Sequence, residues 1–253
     1  MKADLHVHTH ISVDSSVTME EYCRKAIAEG VDFICFTDHA DYNQKDDGYG
    51  RYDAPLFFEE FNQVKKEFGE QLVLLAGIEF SEPHLYPEEL QSISQYPYDM
   101  IIGSIHWVND MFPGREVRKL YSAKQYYGWY WDMVYETVSY GHFDCLGHMD
   151  FPKRYYSELV YDISKLEKIF GRMVERGIVP EINTSSLRKG LSTALPDEEL
   201  LKLYKECGGR RVTIGSDAHV CGDLAAGNAY ARDLIGRMGF EEVIFRRRQP
   251  VAI

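Results

Sequence analysis

The chain has 253 residues, 45% of them apolar and 27% charged, with a formal net charge of −12. That length suffices for one large α/β unit with a full core, so a single domain over 1–253 is expected. The acidic balance argues against a nucleic-acid partner, because a phosphate polymer would be repelled, whereas a site that collects divalent cations suits such a chain.

The five cysteines are scattered and form no C-x-x-C pair, so neither a disulfide framework nor a cysteine zinc site is signalled. The longest clean apolar run, LVLLAGI at 72–78, is far short of a membrane span, and no signal-type apolar stretch opens the chain. No membrane association and a cytoplasmic setting are expected. Nothing in the sequence sets an oligomeric state.

From the N-terminus onward, short apolar runs alternate with amphipathic stretches. ADLHVHT (3–9) reads as a first strand, and TMEEYCRKAIAEG (18–30) as a helix with acids in its first turn and Gly30 at its stop. DFICFTDH (32–39) is a second strand, and APLFFEEFNQVKKEFG (54–69) a helix that ends at Gly69. The strands QLVLLAGIEF (71–80) and DMIIGSIHW (99–107) follow, and then a helix near 123–140. FDCLGHMD (143–150), GIVPEINT (177–184) and RRVTIGSDAH (210–219) complete the strands, with helices near 162–176, 196–207 and 225–238. Strand–helix alternation repeated seven times implies parallel strands with crossover helices. Closed on itself, this is a TIM-like βα-barrel with seven strands; an open doubly wound sheet is the alternative. Two long connections, 40–54 and 108–122, each leave the C-terminal end of a strand, where barrel enzymes build substrate loops.

The nine histidines are unevenly placed. His6 and His8 lie on the first strand, His39 ends the second, His106 the fourth and His148 the fifth, and His219 closes the seventh. The third strand ends with Glu79, and the seventh also carries Asp217. The C-terminal ends of barrel strands converge on one rim, so these residues meet in space although they span two hundred positions. His6 and His8, like Asp217 and His219, are two apart and share a strand face. Adjacent inward imidazoles are costly in a dry core unless their nitrogens are satisfied, which a metal does. Imidazoles mixed with carboxylates suit zinc, manganese or iron better than calcium or magnesium. With Asp14, on the loop leaving the first strand, the donors number nine: His6, His8, Asp14, His39, Glu79, His106, His148, Asp217 and His219. Nine donors serve two or three ions with bridging carboxylates, and clustered ions favour hydrolysis, most naturally of a phosphate ester. His10, His84 and His142 find no partner in this pattern and read as loop or solvated residues.

The order DLHVHT, TDH, GIE, GSIH, GHMD and SDAH resembles the polymerase-and-histidinol-phosphatase (PHP) superfamily, and along the whole chain its stand-alone phosphatases. The resemblance implies a distorted (β/α)7 barrel, a trinuclear metal site and those nine ligands. It further implies that His6, His8, Glu79 and Asp217 share one ion, that Glu79, His106 and His148 share a second, and that Asp14, His39 and His219 hold the third. The activity it implies is hydrolysis of L-histidinol phosphate, a step of histidine biosynthesis, by a metal-bridging hydroxide that attacks phosphorus. Another phosphoesterase of the superfamily, acting on a nucleotide, phosphotyrosine or a phosphodiester, is the alternative.

A small phosphorylated substrate needs cationic anchors besides metal. Arg154, in MDFPKRYY, and Arg188, in NTSSLRKG, follow the fifth and sixth strands onto the same face, where a guanidinium fork matches phosphate oxygens. Asn183 ends the sixth strand and is placed to hydrogen-bond substrate or a ligand. Asp41, just after His39, is a candidate proton donor to the leaving alkoxide. A non-catalytic relative would be expected to lose ligands, and here all nine positions are filled.

Overall fold

A computed structural model describes residues 1–253. The strands are β1 (Ala3–Val7), β2 (Phe33–Phe36), β3 (His39–Ala40), β4 (Val73–Ser81), β5 (Met100–Ser104), β6 (Cys145–Leu146), β7 (Val179–Asn183), β8 (Arg211–Gly215), β9 (Glu241–Arg246) and β10 (Gln249–Ala252). They form one sheet in the order β1-β2-β4-β5-β6-β7-β8-β9-β10, with β3 continuing the line of β2 beside β4. Every pairing is parallel except β9 with β10. The seven expected strands are therefore β1, β2, β4, β5, β6, β7 and β8. The expected helices lie at Met19–Ala28, Ala54–Phe68, Ala123–Tyr140, Ile163–Arg176, Glu198–Glu206 and Asn228–Met238. Their starts are local in origin: Thr18 and Glu21 form a capping box, as do Ser122 and Gln125, and Asp53 and Asp162 cap the helices that follow them.

The sheet curls round until β8 meets β1, and this decides for the distorted barrel over the open sheet. The seam has no continuous ladder. It is bridged at its C-terminal end only, where His8 N–H donates to the carbonyl of Ala218 (2.9 Å) and Ala218 N–H to that of His6 (3.3 Å). The N-terminal half of β8 pairs instead with β9 through Arg211–Glu241 and Val212–Glu242.

That pairing introduces the one sizeable feature the sequence reading lacks, the hairpin β9–β10. Val243, Ile244 and Phe245 are buried in a dry cluster with Ala3, Leu5, Phe33, Cys35, Leu75, Met100, Ile102, Cys145 and Val179. The hairpin thus crosses the N-terminal end of the barrel and plugs it. Its tip is fastened on the far side: Arg247 and Arg248 donate backbone N–H groups to Asp99, at 3.0 and 2.8 Å, and the Arg248 guanidinium pairs with Asp144. Arg247 and Arg248 form the two-residue turn with φ of 49° and 66°, a left-handed conformation in which asparagine and glycine are the usual signal. Two arginines hide the turn from a sequence pattern.

A larger apolar cluster lies between the strands and the surrounding helices. Short helices at Pro87–Ile93, Arg115–Leu120, Lys153–Tyr156 and Ser185–Arg188 break the connections on which the sequence shows no periodic pattern. His84 corrects an expectation. It is not a solvated turn residue; its side chain is 8% exposed, and Nδ1 lies 2.8 Å from Thr137 Oγ1 on the long helix 123–140. No helix is long and apolar enough to cross a membrane.

Candidate metal centre

Donors reach the C-terminal rim from β1, β3, β4, β5, β6 and β8. His6 is on β1 with His8 just past it, His39 opens β3, Glu79 lies near the end of β4, His106 and His148 follow β5 and β6, and Asp217 and His219 follow β8. All nine expected donors come together, around a cavity of about 660 Å³. Seven of them line it, and His6 and His8 are fully buried behind Glu79.

Glu79 is the hub. Its Oε2 lies 3.2 Å from His6 Nε2, 3.5 Å from His8 Nε2 and 3.1 Å from His39 Nδ1. Its Oε1 lies 2.8 Å from His148 Nε2 and 3.4 Å from His106 Nε2. Asp217 Oδ1 is 3.4 Å from His8 Nε2 and 3.9 Å from His6 Nε2. Asp14 Oδ2 is 3.0 Å from His219 Nε2 and 3.7 Å from His39 Nε2. Clusters of ligand atoms within 4.8 Å of one another cut across the sets that the resemblance implies: His39 groups with His8 and His219 and again with Asp41 and His106, and His6 groups with Glu79 and His148 and again with His8 and Asp217.

The separations of 3.4 to 3.5 Å, from His8 to Glu79 and Asp217 and from His106 to Glu79, are those of two donors on one ion, while His148 Nε2 at 2.8 Å from Glu79 is within hydrogen-bonding distance. Two atoms each about 2.1 Å from a tetrahedral ion are roughly 3.4 Å apart. His6 Nε2, His8 Nε2, His39 Nδ1 and Glu79 Oε2 are buried and without hydrogen-bond partners, an arrangement that is costly unless a cation takes the lone pairs. Nitrogen and oxygen donors without thiolate suit zinc, manganese and iron.

The electrostatics follow from the crowding. Burial pushes Glu79 up, but the charges of His6, His39 and His106 outweigh it and hold the carboxyl well below its usual range. Asp217 is likewise held low against burial, by Arg154 and His6. Burial opposes charge on His106, yet Glu79 and Asp41 push its pKa up to about 10. Burial and the neighbouring His219 and His39 drive His8 down, and burial lowers His148. Two of the donors have left-handed backbone: His148 and Asp217 have φ of 23° and 56°.

Both expected arginines line the cavity. Arg154 Nη2 donates to Ser185 Oγ (2.6 Å), Asn183 Oδ1 (3.2 Å) and Asp217 Oδ2 (2.6 Å), while its buried Nε has no partner. Arg188 Nη2 donates to the carbonyl of Ser216 (2.8 Å), and its Nε lies 3.0 Å from Asp223. Asp41 is buried on the same wall, accepts from Ser81, and sits 3.7 Å from both His39 Nδ1 and His106 Nδ1. His10 stays outside the cluster, 3.2 Å from Glu60. Lys189, which also lines the cavity, and Glu181, buried behind His6, are absent from the sequence reading. Glu181 had a signal, an acid in the middle of the apolar run GIVPEINT and two residues from Asn183, hence on the same strand face. The two long connections are joined to each other where Asn43 Nδ2 donates to Asp110 Oδ1 (3.2 Å) and Lys45 Nζ to the Asp110 carbonyl (3.1 Å), and Trp107 Nε1 donates to Asp46 (2.7 Å).

A seven-stranded parallel barrel with histidines and acids crowded at its C-terminal mouth, beside arginines, is a metal-dependent hydrolase by class. The chain belongs to the PHP domain family, whose sequence profile matches residues 4–185. Asp217 and His219 lie beyond that match and are brought to the site by the fold. The chain is 29% identical to the histidinol-phosphatase of Lactococcus lactis, over 96% of this chain and 93% of that one. It is also 29% identical to a probable histidinol-phosphatase of Deinococcus radiodurans, over 97% of both. The crystal structure of the Lactococcus lactis histidinol phosphate phosphatase, complexed with zinc, L-histidinol and phosphate, superposes with a TM-score of 0.86 at 26% identity, covering 99% of this chain and 98% of the other.

Proposed function

We propose that this chain is a metal-dependent phosphatase that hydrolyses L-histidinol phosphate to L-histidinol and phosphate, a step of histidine biosynthesis. The observation that carries the metal chemistry is Glu79, whose two oxygens meet five imidazoles between 2.8 and 3.5 Å at the floor of an open cavity. The substrate follows from likeness to the Lactococcus lactis enzyme, whose fold is shared across almost the whole chain.

In this reading His6, His8, Glu79 and Asp217 hold one divalent ion, Glu79, His106 and His148 a second, and Asp14, His39 and His219 a third. Zinc, manganese or iron bound there lowers the pKa of water and offsets charge on the phosphoryl oxygens. Arg154, held by Ser185, Asn183 and Asp217, lines the cavity wall, and Arg188 adds a second guanidinium for phosphate oxygens. Burial raises the Asp41 carboxyl, but His39, His106 and Ser81 bring it below its usual range. Asp41 is therefore ionised at rest, and gives a proton to the leaving oxygen only after taking one from the attacking water. The whole of 1–253 acts as a single domain around this one site. An acidic chain that works on a small phosphorylated metabolite needs neither nucleic acid nor membrane, and its setting is the cytoplasm.

Elemental analysis of purified protein, combined with phosphate release from histidinol phosphate, a nucleotide, phosphotyrosine and a phosphodiester, tests both halves. At least two metal ions per chain and a preference for histidinol phosphate are expected. Full activity with fewer than two ions would overturn the metal assignment, and a preference for the nucleotide would overturn the substrate.

A further inference from the structure

We infer that Glu181 is a positioning residue: it holds His6 as the Nδ1–H tautomer and so aims the Nε2 lone pair at the Glu79–Asp217 pair. Glu181 is on β7, 1% exposed, and its Oε1 lies 2.6 Å from His6 Nδ1. Its Oε2 accepts the backbone N–H of His148 (3.0 Å) and Nδ2 of Asn183 (3.1 Å). Oε2 is taken up by those two donors and Oε1 faces His6 Nδ1, so an imidazole that gives Nε2 to a metal ion carries its one proton on Nδ1, where Oε1 accepts it. That Nε2 is buried, has no hydrogen-bond partner, and lies 3.2 Å from Glu79 and 3.9 Å from Asp217.

The surroundings are shaped for this carboxylate. A methyl group on Gly215 of β8 would overlap both the Glu181 carboxylate and Cβ of His6, so a glycine there admits the pair. Asn183 extends the link, since the same Nδ2 lies 3.3 Å from Asp217 Oδ2. One carboxylate thus connects donors from β1, from the turn after β6 and from the turn after β8. Hydrogen bonds of this kind set the orientation and basicity of a metal-binding imidazole.

The inference rests on the metal reading proposed above, and its test reads metal and proton rather than substrate. Glu181→Gln keeps the shape but must turn an NH2 group either toward the two donors or toward His6 Nδ1, and the second choice drives the proton onto Nε2. Competition with a chromogenic chelator is expected to show at least one zinc bound about 10–100-fold more weakly than in wild type, with thermal unfolding near the wild-type midpoint. In zinc-loaded wild-type protein carrying 15N-histidine, long-range 1H–15N spectra should place the His6 proton on Nδ1. Wild-type zinc affinity in Glu181→Gln, or a His6 proton elsewhere in the wild type, overturns the assignment. The wild-type spectrum decides even where the variant does not fold. A wild-type protein that binds no zinc would instead overturn the metal reading on which this rests.

Discussion

At the N-terminal end of the strands, Val243, Ile244 and Phe245 close a cluster made wholly of apolar side chains. A few residues further along the same strands, the other end buries His6, His8, Glu79, Asp217 and Glu181. The dry end gains free energy from every methylene removed from water. The polar end gains nothing of that kind, since it pays desolvation for each charge and leaves several lone pairs unpartnered. A fold tolerates such an end only when the other end and the helical layer hold the barrel together. The pair therefore divides the labour: stability at the plug, chemistry at the mouth.

This division can be broken from either side. The largest effect is expected at the hub. Glu79→Gln should lower phosphate release at least about a thousand-fold, roughly 4 kcal/mol on the barrier, while thermal unfolding stays near the wild-type midpoint. Retention of activity within tenfold would show that Glu79 does not join the ligand sets. At the other end, Phe245→Ala opens a cavity in the dry cluster and should cost about 3–5 kcal/mol of stability in urea unfolding. Turnover per folded molecule should be unchanged, and a matching loss of turnover would show that the two ends are coupled.

Asp41→Asn should lower turnover of histidinol phosphate about a hundred-fold. With p-nitrophenyl phosphate, whose leaving group needs no proton, the loss should be clearly smaller. Equal losses would confine Asp41 to the attacking water and remove it from proton delivery to the leaving oxygen. The smallest effect concerns His84, whose pKa burial lowers to about 4 from the usual 6.5. Its unfolded form binds a proton that the folded form refuses, so its contribution to stability is full above about 6.5 and is lost as pH falls toward 4. His84→Gln should leave activity intact and narrow the drop in urea midpoint between pH 7 and pH 5.

Local pattern was enough for much of this molecule. The apolar runs marked all seven barrel strands, because a buried parallel strand must be apolar over its length. Alternation placed His6 and His8 on one face, and helix stops and caps are properties of a few adjacent residues. The donors were legible because metal ligands come from a small set of side chains, and strand ends are where a barrel puts them. His84 misled, since its polar neighbours in EPHLYPEE hide the helix that covers it.

What the sequence could not decide was set by contacts between distant segments. Whether the sheet closes depends on His6 and His8 finding Ala218, two hundred residues away, and the sequence left the open sheet standing. The plug depends on Arg247 and Arg248 finding Asp99 and Asp144, with a turn whose residues are the wrong type for a local signal. Glu181 stood out only as an acid in an apolar run until β7 came beside β8 and Gly215 left the space for it to reach His6. Side-chain type and spacing determine which atoms are able to bind a cation. Only the closed barrel determines which lone pairs point at one another, because that direction is fixed by partners no local pattern contains.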